Sequence, residues 1–270
     1  MALYETAGAQ RRVSPRALST AAVGAISLLA WGALLLWQRP PSSGHMGHQG
    51  HGAALGEPAL AFVAGWVVMV LAMMLPTALP LLRGFQRRNC RRAGLAWLSA
   101  LLLGGYVLSW ALFGVAIYAG AWLLNQFTLT DLALSAGLGV PAGLLAIVAG
   151  AYQLTPLKRG HLEACRSAQG CATALGEGPA RAAWRSLFAG LHHGRCCIGC
   201  CGALMLLMIA AGAHSLGLMA GLGLVMAAEK GLPWGRRLGV LIGIALLGWG
   251  LLLLLSGGAP GVHVHQHSSW

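Results

Sequence analysis

The chain has 270 residues, of which 57% are hydrophobic and 9% are charged. Soluble domains carry about 25% charged residues, so this composition excludes an ordinary water-soluble globular protein. A net charge of +12 could suggest a nucleic-acid-binding protein, but the basic residues lie between long apolar runs, where membrane topology explains them. We therefore predict an all-α, polytopic transmembrane helical bundle without a nucleic-acid partner.

Successive apolar runs predict the helices of this bundle. The runs are 18–37, 59–82, 95–124, 132–154, 197–213, 216–228 and 238–255. A helix needs about 20 apolar residues to span a bilayer, and the fifth and sixth runs are short. We place a turn at 212–215 between them, while residues 184–195 either extend the fifth helix or lie at the membrane interface. About seven helices are expected, and six are possible.

The basic residues predict the orientation of the chain. Cytoplasmic loops collect Lys and Arg, and with the N-terminus inside only Arg39 falls on the outer side. This arrangement supports an N-in, C-out topology. The first run is long for a signal peptide and no clear cleavage site follows, so we interpret it as an uncleaved anchor.

These boundaries divide the chain into five predicted segments. They are a cytoplasmic tail at 1–17, an anchor helix at 18–37, a His/Met-rich outside loop at 38–58, a helical metal-binding membrane domain at 59–256 and a His-rich outside tail at 257–270.

A block of cysteines in the fifth run predicts a metal site. Two histidines precede the block and two methionines follow it. The block comprises His192, His193, Cys196, Cys197, Cys200, Cys201, Met205 and Met208. Thiolates and thioethers are soft ligands that select Cu(I), Zn or an iron–sulfur cluster over Mg or Ca. The alternative is that these cysteines only pack as small hydrophobic residues.

Helical periodicity favours Cu(I) as the metal at this block. On a helix, Cys197, Cys201, Met205 and Met208 fall on one face, and such a sulfur ladder suits Cu(I) with two or three ligands. Adjacent Cys-Cys pairs rarely serve one tetrahedral site, so four-coordinate Zn from the cysteines alone is disfavoured. His192, His193, Cys165 or a partner could complete it, and Zn, Ni or Co could also bind.

The second run offers a possible counterpart to the cysteine block. Met69, Met73 and Met74 precede Pro76 and Pro80, and the two prolines predict a kink or break. Broken helices within a membrane often line ion sites. The alternative is that the methionines only fill the core.

Glu229 closes the sixth run. A carboxylate near a membrane boundary is costly and often functional, so Glu229 is a further candidate at the metal site. It could instead pair with Lys230 or with an interfacial arginine.

Histidines cluster in the two segments placed outside. The loop contains His45, Met46, His48 and His51, and the tail contains His263, His265 and His267. Such clusters on flexible chain can capture Cu(II), Ni or Zn, although polar segments without function are the alternative. The cysteines number seven and fall inside or within helices, which argues against a disulfide framework. This division predicts a metal path from an oxidising to a reducing compartment.

Three sequence blocks together carry a family resemblance. They are Met69-Val-Leu-Ala-Met73-Met74-Leu-Pro76, then Tyr152-Gln-Leu-Thr-Pro-Leu-Lys158 with Cys165-Arg166, then the segment 194–208 with Glu229-Lys230. Over about residues 60–255 the chain resembles a bacterial family of predicted metal-binding integral membrane proteins, some labelled copper chaperones. His161, Gly202 and His214 stand where the family usually has Cys, Trp and Met. The resemblance implies a metal-binding protein of the bacterial inner membrane, without implying a mechanism.

We therefore expect a non-enzymatic membrane protein that handles Cu(I), by transfer or insertion, through a Cys/Met site. Its expected partners are the lipid bilayer and the metal ion, and a metal donor or acceptor protein could join them. One alternative is a secondary transition-metal transporter that uses Glu229 in proton coupling. Another is a thiol oxidoreductase that uses Cys197 and Cys200, although no flavin or quinone motif accompanies them.

Overall fold

The structure is a computed structural model. It describes residues 15–37, 59–126, 139–167, 178–210 and 216–255. The turn expected at 212–215 and both outer histidine clusters lie outside these residues. The cluster residues concerned are His45, Met46, His48, His51, His263, His265 and His267.

The described residues form α-helices and one short 3-10 turn, and they contain no strand, which confirms the predicted all-α class. The helices are α1 (Pro15–Trp37), α2 (Ala59–Met73), α3 (Leu79–Arg88), α4 (Leu95–Gln126), α5 (Gly139–Leu154), α6 (Pro156–Arg166), α7 (Pro179–Ala210), α8 (Leu216–Gly231) and α9 (Gly235–Leu255).

Four of the described helices, α1, α4, α7 and α9, are long and apolar enough to cross a membrane. Helices α2 and α3 are related by a bend of 53° and form a fifth candidate span if they are taken together. Helices α5 and α8 have 16 residues each. The length and composition of these helices indicate a membrane protein, while seven spans and the N-in, C-out orientation stay predictions.

Helix α7 extends the fifth apolar run toward its N-terminus. The helix has 32 residues, so residues 184–195 continue it and the cysteine block lies within it. Ala182, Ser186, Ala189 and His193 are buried at helical spacing, which continues the inward face of the cysteine segment. Of the two alternatives for residues 184–195, the structure therefore shows an extension of the fifth helix, because buried small and polar residues continue this face although the hydropathy falls.

Glycines bring two pairs of helices into close contact. A Cβ on Gly190 of α7 would overlap the carbonyl oxygen of Leu102 on α4, and one on Gly194 would overlap the Ser109 side chain. Gly150 on α5 and Gly243 on α9 meet in the same way, since a Cβ on Gly150 would lie 2.8 Å from the Gly243 oxygen. Small residues at these positions let membrane helices approach closely.

The expected break after α2 is present, and it leaves a backbone carbonyl without its usual helical hydrogen bond. Pro76 begins the 3-10 turn, and the Ala78 N–H bonds to the Leu75 oxygen at 3.1 Å. The Met74 oxygen instead accepts hydrogen bonds from Thr77 Oγ1 at 2.8 Å and from the Tyr106 hydroxyl at 3.2 Å. Proline lacks the N–H that a regular helix needs, and side chains satisfy the carbonyl that the break releases.

Candidate metal centre

Sulfur-bearing side chains from α2, α7 and α8 pack in one buried cluster. We call this set the sulfur cluster, and its members are Met69, Met73, Met74, Cys197, Cys200, Cys201, Met205, Met208, Met219 and Met226. Cys197, Cys201, Met205 and Met208 are each 0% exposed. The prediction that these four share an inward helix face is therefore confirmed.

The methionines before the break in α2 lie in the same cluster as the cysteine segment. Met69 and Met73 are 4% and 5% exposed, and Met74 is 0% exposed. Met73 packs against α8, where a Cβ on Gly223 would lie 3.2 Å from the Met73 methyl carbon. The methionines of α2 and the cysteines of α7 are therefore both buried inside the protein, as a shared site between them requires.

Three thiols meet where α6 lies against α7. Cys200 Sγ lies 3.6 Å from Cys165 Sγ and 3.4 Å from Cys201 Sγ. Two thiolates on one tetrahedral metal with bonds of about 2.3 Å would be about 3.8 Å apart, so these sulfurs are a few tenths of an ångström too close. Among the described residues no group of three or more Cys, His, Asp or Glu has a finished metal-binding geometry. The donor types suit a soft metal, and small side-chain shifts would be needed to bind it.

Cys197 contacts polar groups from two other helices. The Lys230 ammonium on α8 lies 2.9 Å from Cys197 Sγ, and the Tyr106 hydroxyl on α4 lies 3.2 Å from it. Lys230 Nζ also donates to Thr77 Oγ1 at 3.2 Å and lies 3.9 Å from Met74 Sδ. The break after α2 therefore lies close to Cys197, and Lys230 contacts both.

His193 contributes a buried nitrogen without a partner. It lies one helical turn before Cys197, is 4% exposed and packs its ring 5.8 Å from that of Tyr106, measured between centroids. Its Nδ1 has no hydrogen-bond partner among the described residues. A buried nitrogen that lacks a hydrogen bond is energetically costly, and a metal ion beside Cys197 would satisfy it.

Two other candidates lie away from this nitrogen. Cys196 Sγ lies 3.9 Å from His192 Nε2, and the His192 side chain is exposed. These two residues face a different side of α7 from Cys197 and are not members of the sulfur cluster.

Glu229 forms an ion pair with a residue that the sequence placed in a loop. Its Oε2 lies 2.7 Å from Lys158 Nζ on α6, and the side chains are 0% and 3% exposed. Gln153 Nε2 donates to Glu229 Oε1 at 3.4 Å. The alternative of a pairing with Lys230 or an interfacial arginine is not the one formed, since the carboxylate pairs with Lys158. Successive helix residues point about 100° apart, so Glu229 faces α6 while Lys230 faces the sulfur cluster.

Hydrogen bonds from Arg166 also hold α6 against the end of α8. Arg166 Nε donates to the Lys230 oxygen at 3.1 Å, and Arg166 Nη2 bonds to the Leu232 oxygen. An arginine at these carbonyls satisfies groups that a helix end leaves unpaired. The same helix presents Cys165 to Cys200 and packs the His161 ring against Gly199.

The family comparison agrees with this arrangement of side chains. A family model described as "PpoB2: Copper chaperone" matches residues 63–253. The chain belongs to this family. The match confirms the resemblance to proteins labelled copper chaperones, and it supports copper handling in general. No curated protein and no solved structure matches the chain.

The copper chaperone family match extends from α2 to α9 and includes every helix that contributes to the sulfur cluster. Helix α1 lies outside it. The cluster, the break in α2 and helix α6 are therefore all within the region that carries the family name.

Sequence reasoning missed several residues around Cys197. Met219 and Met226 are buried in the sulfur cluster, and their seven-residue spacing on an apolar run could have identified them as members of one face. Tyr106 and Lys230 approach Cys197 from other helices. Contacts between distant helices leave no periodic signal in a single sequence, although Lys230 belongs to a block already recognised.

Proposed function

We propose that this protein is a non-enzymatic copper chaperone of the bacterial inner membrane, with Cu(I) as its cargo. The observation that carries the proposal is the packing of cysteine and methionine side chains in one buried cluster, in a chain of the copper chaperone family. Thiolate and thioether donors favour Cu(I), whereas Ni and Co sites use more nitrogen and oxygen. The candidate carboxylate, Glu229, is already paired with Lys158.

Cys197 and Cys201 are the proposed central ligands, with Met205 or Met208 on the same face as the third donor. All four are fully buried, so the metal would be shielded from water. The unpartnered Nδ1 of His193 supports a metal position next to Cys197.

Cys165 is the proposed transfer ligand. It is only partly buried and lies 3.6 Å from Cys200, so it connects the interior thiols with the surface at α6. A ligand with one side open can exchange metal with a thiol of an acceptor protein. The histidines of the outer loop and tail would collect copper on the other side, as linked weak sites raise local concentration.

Cu(I) titration of the reduced, detergent-purified protein against a competing chelator tests the proposal. The wild type is expected to bind tightly, whereas Cys197→Ser combined with Cys201→Ser should abolish tight binding. Cys90→Ser is the matched control, because Cys90 is exposed and lies outside the sulfur cluster. X-ray absorption that shows only nitrogen and oxygen neighbours of bound copper would contradict a sulfur site.

A secondary transporter for a transition metal is the second candidate function. The break in α2 favours it, because transporters commonly place their ion sites at discontinuous helices, and this break meets Cys197 through Lys230 and Tyr106. Proteoliposomes distinguish the two functions. A chaperone should bind a fixed number of copper ions per chain, whereas a transporter should accumulate copper in the lumen well beyond that number.

A further inference from the structure

Lys230 lies between Cys197, a proposed copper ligand, and Met74, another member of the sulfur cluster. Its Nζ lies 2.9 Å from Cys197 Sγ and 3.9 Å from Met74 Sδ, and it donates a hydrogen bond to Thr77 Oγ1 at 3.2 Å. These neighbours come from the break in α2 and from α7. An ammonium group is thus held where a metal bound by Cys197 and Met74 would lie.

A metal and the ammonium cannot both occupy this position. A thiolate-bound metal ion lies about 2.3 Å from sulfur, as zinc does, which is closer than the present distance from Nζ to the same sulfur. Two positive charges at such a distance in a buried site also repel each other strongly. Binding of a metal between Cys197 and Met74 therefore requires the Lys230 side chain to move.

We propose that Lys230 holds the copper position in the metal-free protein and that Cu(I) enters by displacing its ammonium group. The inference rests on the proposed function and adds a gate to the same site. In the exchange, the N–H···S hydrogen bond from Lys230 to the Cys197 thiolate breaks and the ammonium leaves with its protons. Copper leaves the thiol or chelator that carried it and forms a bond to the Cys197 sulfur. No oxidation or reduction accompanies the exchange.

The surroundings of Lys230 allow its side chain to move while its backbone stays in place. Arg166 Nε binds the Lys230 carbonyl oxygen at 3.1 Å and fixes the end of α8. Lys230 lies in the last turn of α8 and is only partly buried. A long lysine stem at a helix end can carry its ammonium toward the membrane surface.

The exchange also favours a monovalent metal. Replacing the ammonium with Cu(I) between the Cys197 thiolate and the uncharged Met74 thioether exchanges one unit of positive charge for another, so the charge at this position stays constant. A divalent ion such as Zn²⁺ would add a unit of charge to a site with few compensating groups, which is costly in a low-dielectric interior. Lys230 thus acts as a specificity-determining residue as well as a gate.

The two lysines of the chain provide an internal control for this exchange. The Lys158 ammonium is paired with Glu229 Oε2 at 2.7 Å, whereas the Lys230 ammonium lies against Cys197 Sγ. The full-length protein in detergent is treated briefly with an amine-acetylating reagent, without metal and with Cu(I), and acetylation is quantified by peptide mass spectrometry. We expect Cu(I) to increase Lys230 acetylation severalfold and to leave Lys158 acetylation unchanged.

Lys230→Leu, which removes the ammonium without adding a sulfur donor, gives a second, independent measurement. If the displaced state holds about a tenth of the metal-free population, removing the ammonium should strengthen Cu(I) binding about tenfold. Zn²⁺ binding should strengthen by more, so that the preference for Cu(I) falls. Lys230→Arg keeps the cation and should not reproduce either gain.

The outcomes separate this inference from the proposed function. Normal Cu(I) binding with unchanged Lys230 acetylation would overturn the inference alone, as would a Lys230→Leu variant that binds copper as poorly as Cys197→Ser. A wild-type protein that binds no Cu(I) would overturn the proposed function and the inference together. The acetylation experiment uses the wild type, so it stays decisive if Lys230→Leu does not fold.

Discussion

Two helix pairs of the protein are packed closely through glycines, but the two contacts bring different kinds of side chain together. Glycines bring α4 against α7 and α5 against α9, and in both pairs a Cβ would overlap the opposite backbone. The α4–α7 contact delivers Tyr106 to Cys197. The α5–α9 contact lies beside the Lys158–Glu229 ion pair, where Gly239 packs against the carboxylate. Close packing thus brings a tyrosine to a cysteine in the α4–α7 pair. In the α5–α9 pair it lies beside a buried ion pair.

The difference shows that small residues alone do not mark a functional site in a membrane bundle. What distinguishes the α4–α7 pair is the polar and sulfur-bearing side chains that the close approach brings together. Variants that disturb each pair separately should therefore separate stability from copper binding.

The largest expected effect is on stability, at the α5–α9 side. Glu229→Gln leaves the Lys158 ammonium buried without its counter-charge, and breaking a buried pair in this way costs about 3–5 kcal/mol. Thermal unfolding in detergent measures the loss. Replacing both partners with apolar residues, as in Lys158→Met with Glu229→Leu, should recover much of it.

Copper binding is the control for this variant. The folded fraction of Glu229→Gln should keep the Cu(I) stoichiometry of the wild type, because the Glu229 carboxylate is paired with Lys158 and Gln153. A folded variant that has lost its copper would show that the ion pair belongs to the metal site, and the two helix pairs would no longer differ in role.

Gly190→Ala and Gly150→Ala compare the two glycine contacts directly. A Cβ at Gly190 would overlap the Leu102 oxygen and lie 2.9 Å from the Tyr106 nitrogen. Overpacking of this kind costs about 1–3 kcal/mol, so unfolding temperatures should fall for both variants. Only Gly190→Ala should also weaken Cu(I) binding in a chelator competition, since it moves Tyr106 away from Cys197. Equal copper affinities would remove the assigned difference.

Tyr106→Phe should have a smaller effect at the α4–α7 side. It removes the hydroxyl that contacts Cys197 Sγ and the Met74 oxygen, and a lost buried hydrogen bond costs about 0.5–1.5 kcal/mol. Tyr152→Phe is matched to it, because the Tyr152 hydroxyl donates to the Gly199 oxygen at 2.6 Å. Both should lower the unfolding temperature, and the Cu(I) affinity should change only for Tyr106→Phe.

The smallest expected effect belongs to the surface ion pair between α9 and α6. Arg236 Nη1 lies 3.6 Å from Glu163 Oε1, and both side chains are more than half exposed. Pairs of this kind contribute about 0–1 kcal/mol, so Arg236→Ala should leave the unfolding temperature and the copper affinity nearly unchanged. A large loss of either would show that the pair has a role beyond the surface.

The sequence predicts best the features that repeat along one helix. The Cys197–Met208 face follows from helical spacing, and the break after α2 follows from Pro76. The extent of α7 was harder to predict, because its early turns bury Ala182 and Ser186 instead of large apolar side chains.

Contacts between helices could not be predicted from one sequence. Glu229 and Lys230 are neighbours in the chain, yet one faces α6 and the other faces Cys197. Which partner each meets depends on how α6 and α7 pack around α8, and no spacing along a single chain encodes that. Tyr106 gives no signal for the same reason.

Burial of the sulfur cluster also affects which sulfur atoms peroxide can oxidise. Thioethers and thiols are oxidised according to exposure and thiolate character, and Met74, Met205, Met208 and Met226 are all 0% exposed. Cys90 is exposed and lies outside the cluster, so a dissolved oxidant reaches it more readily than the buried members of the cluster. Damage at Cys90 would leave the buried sulfur cluster chemically intact.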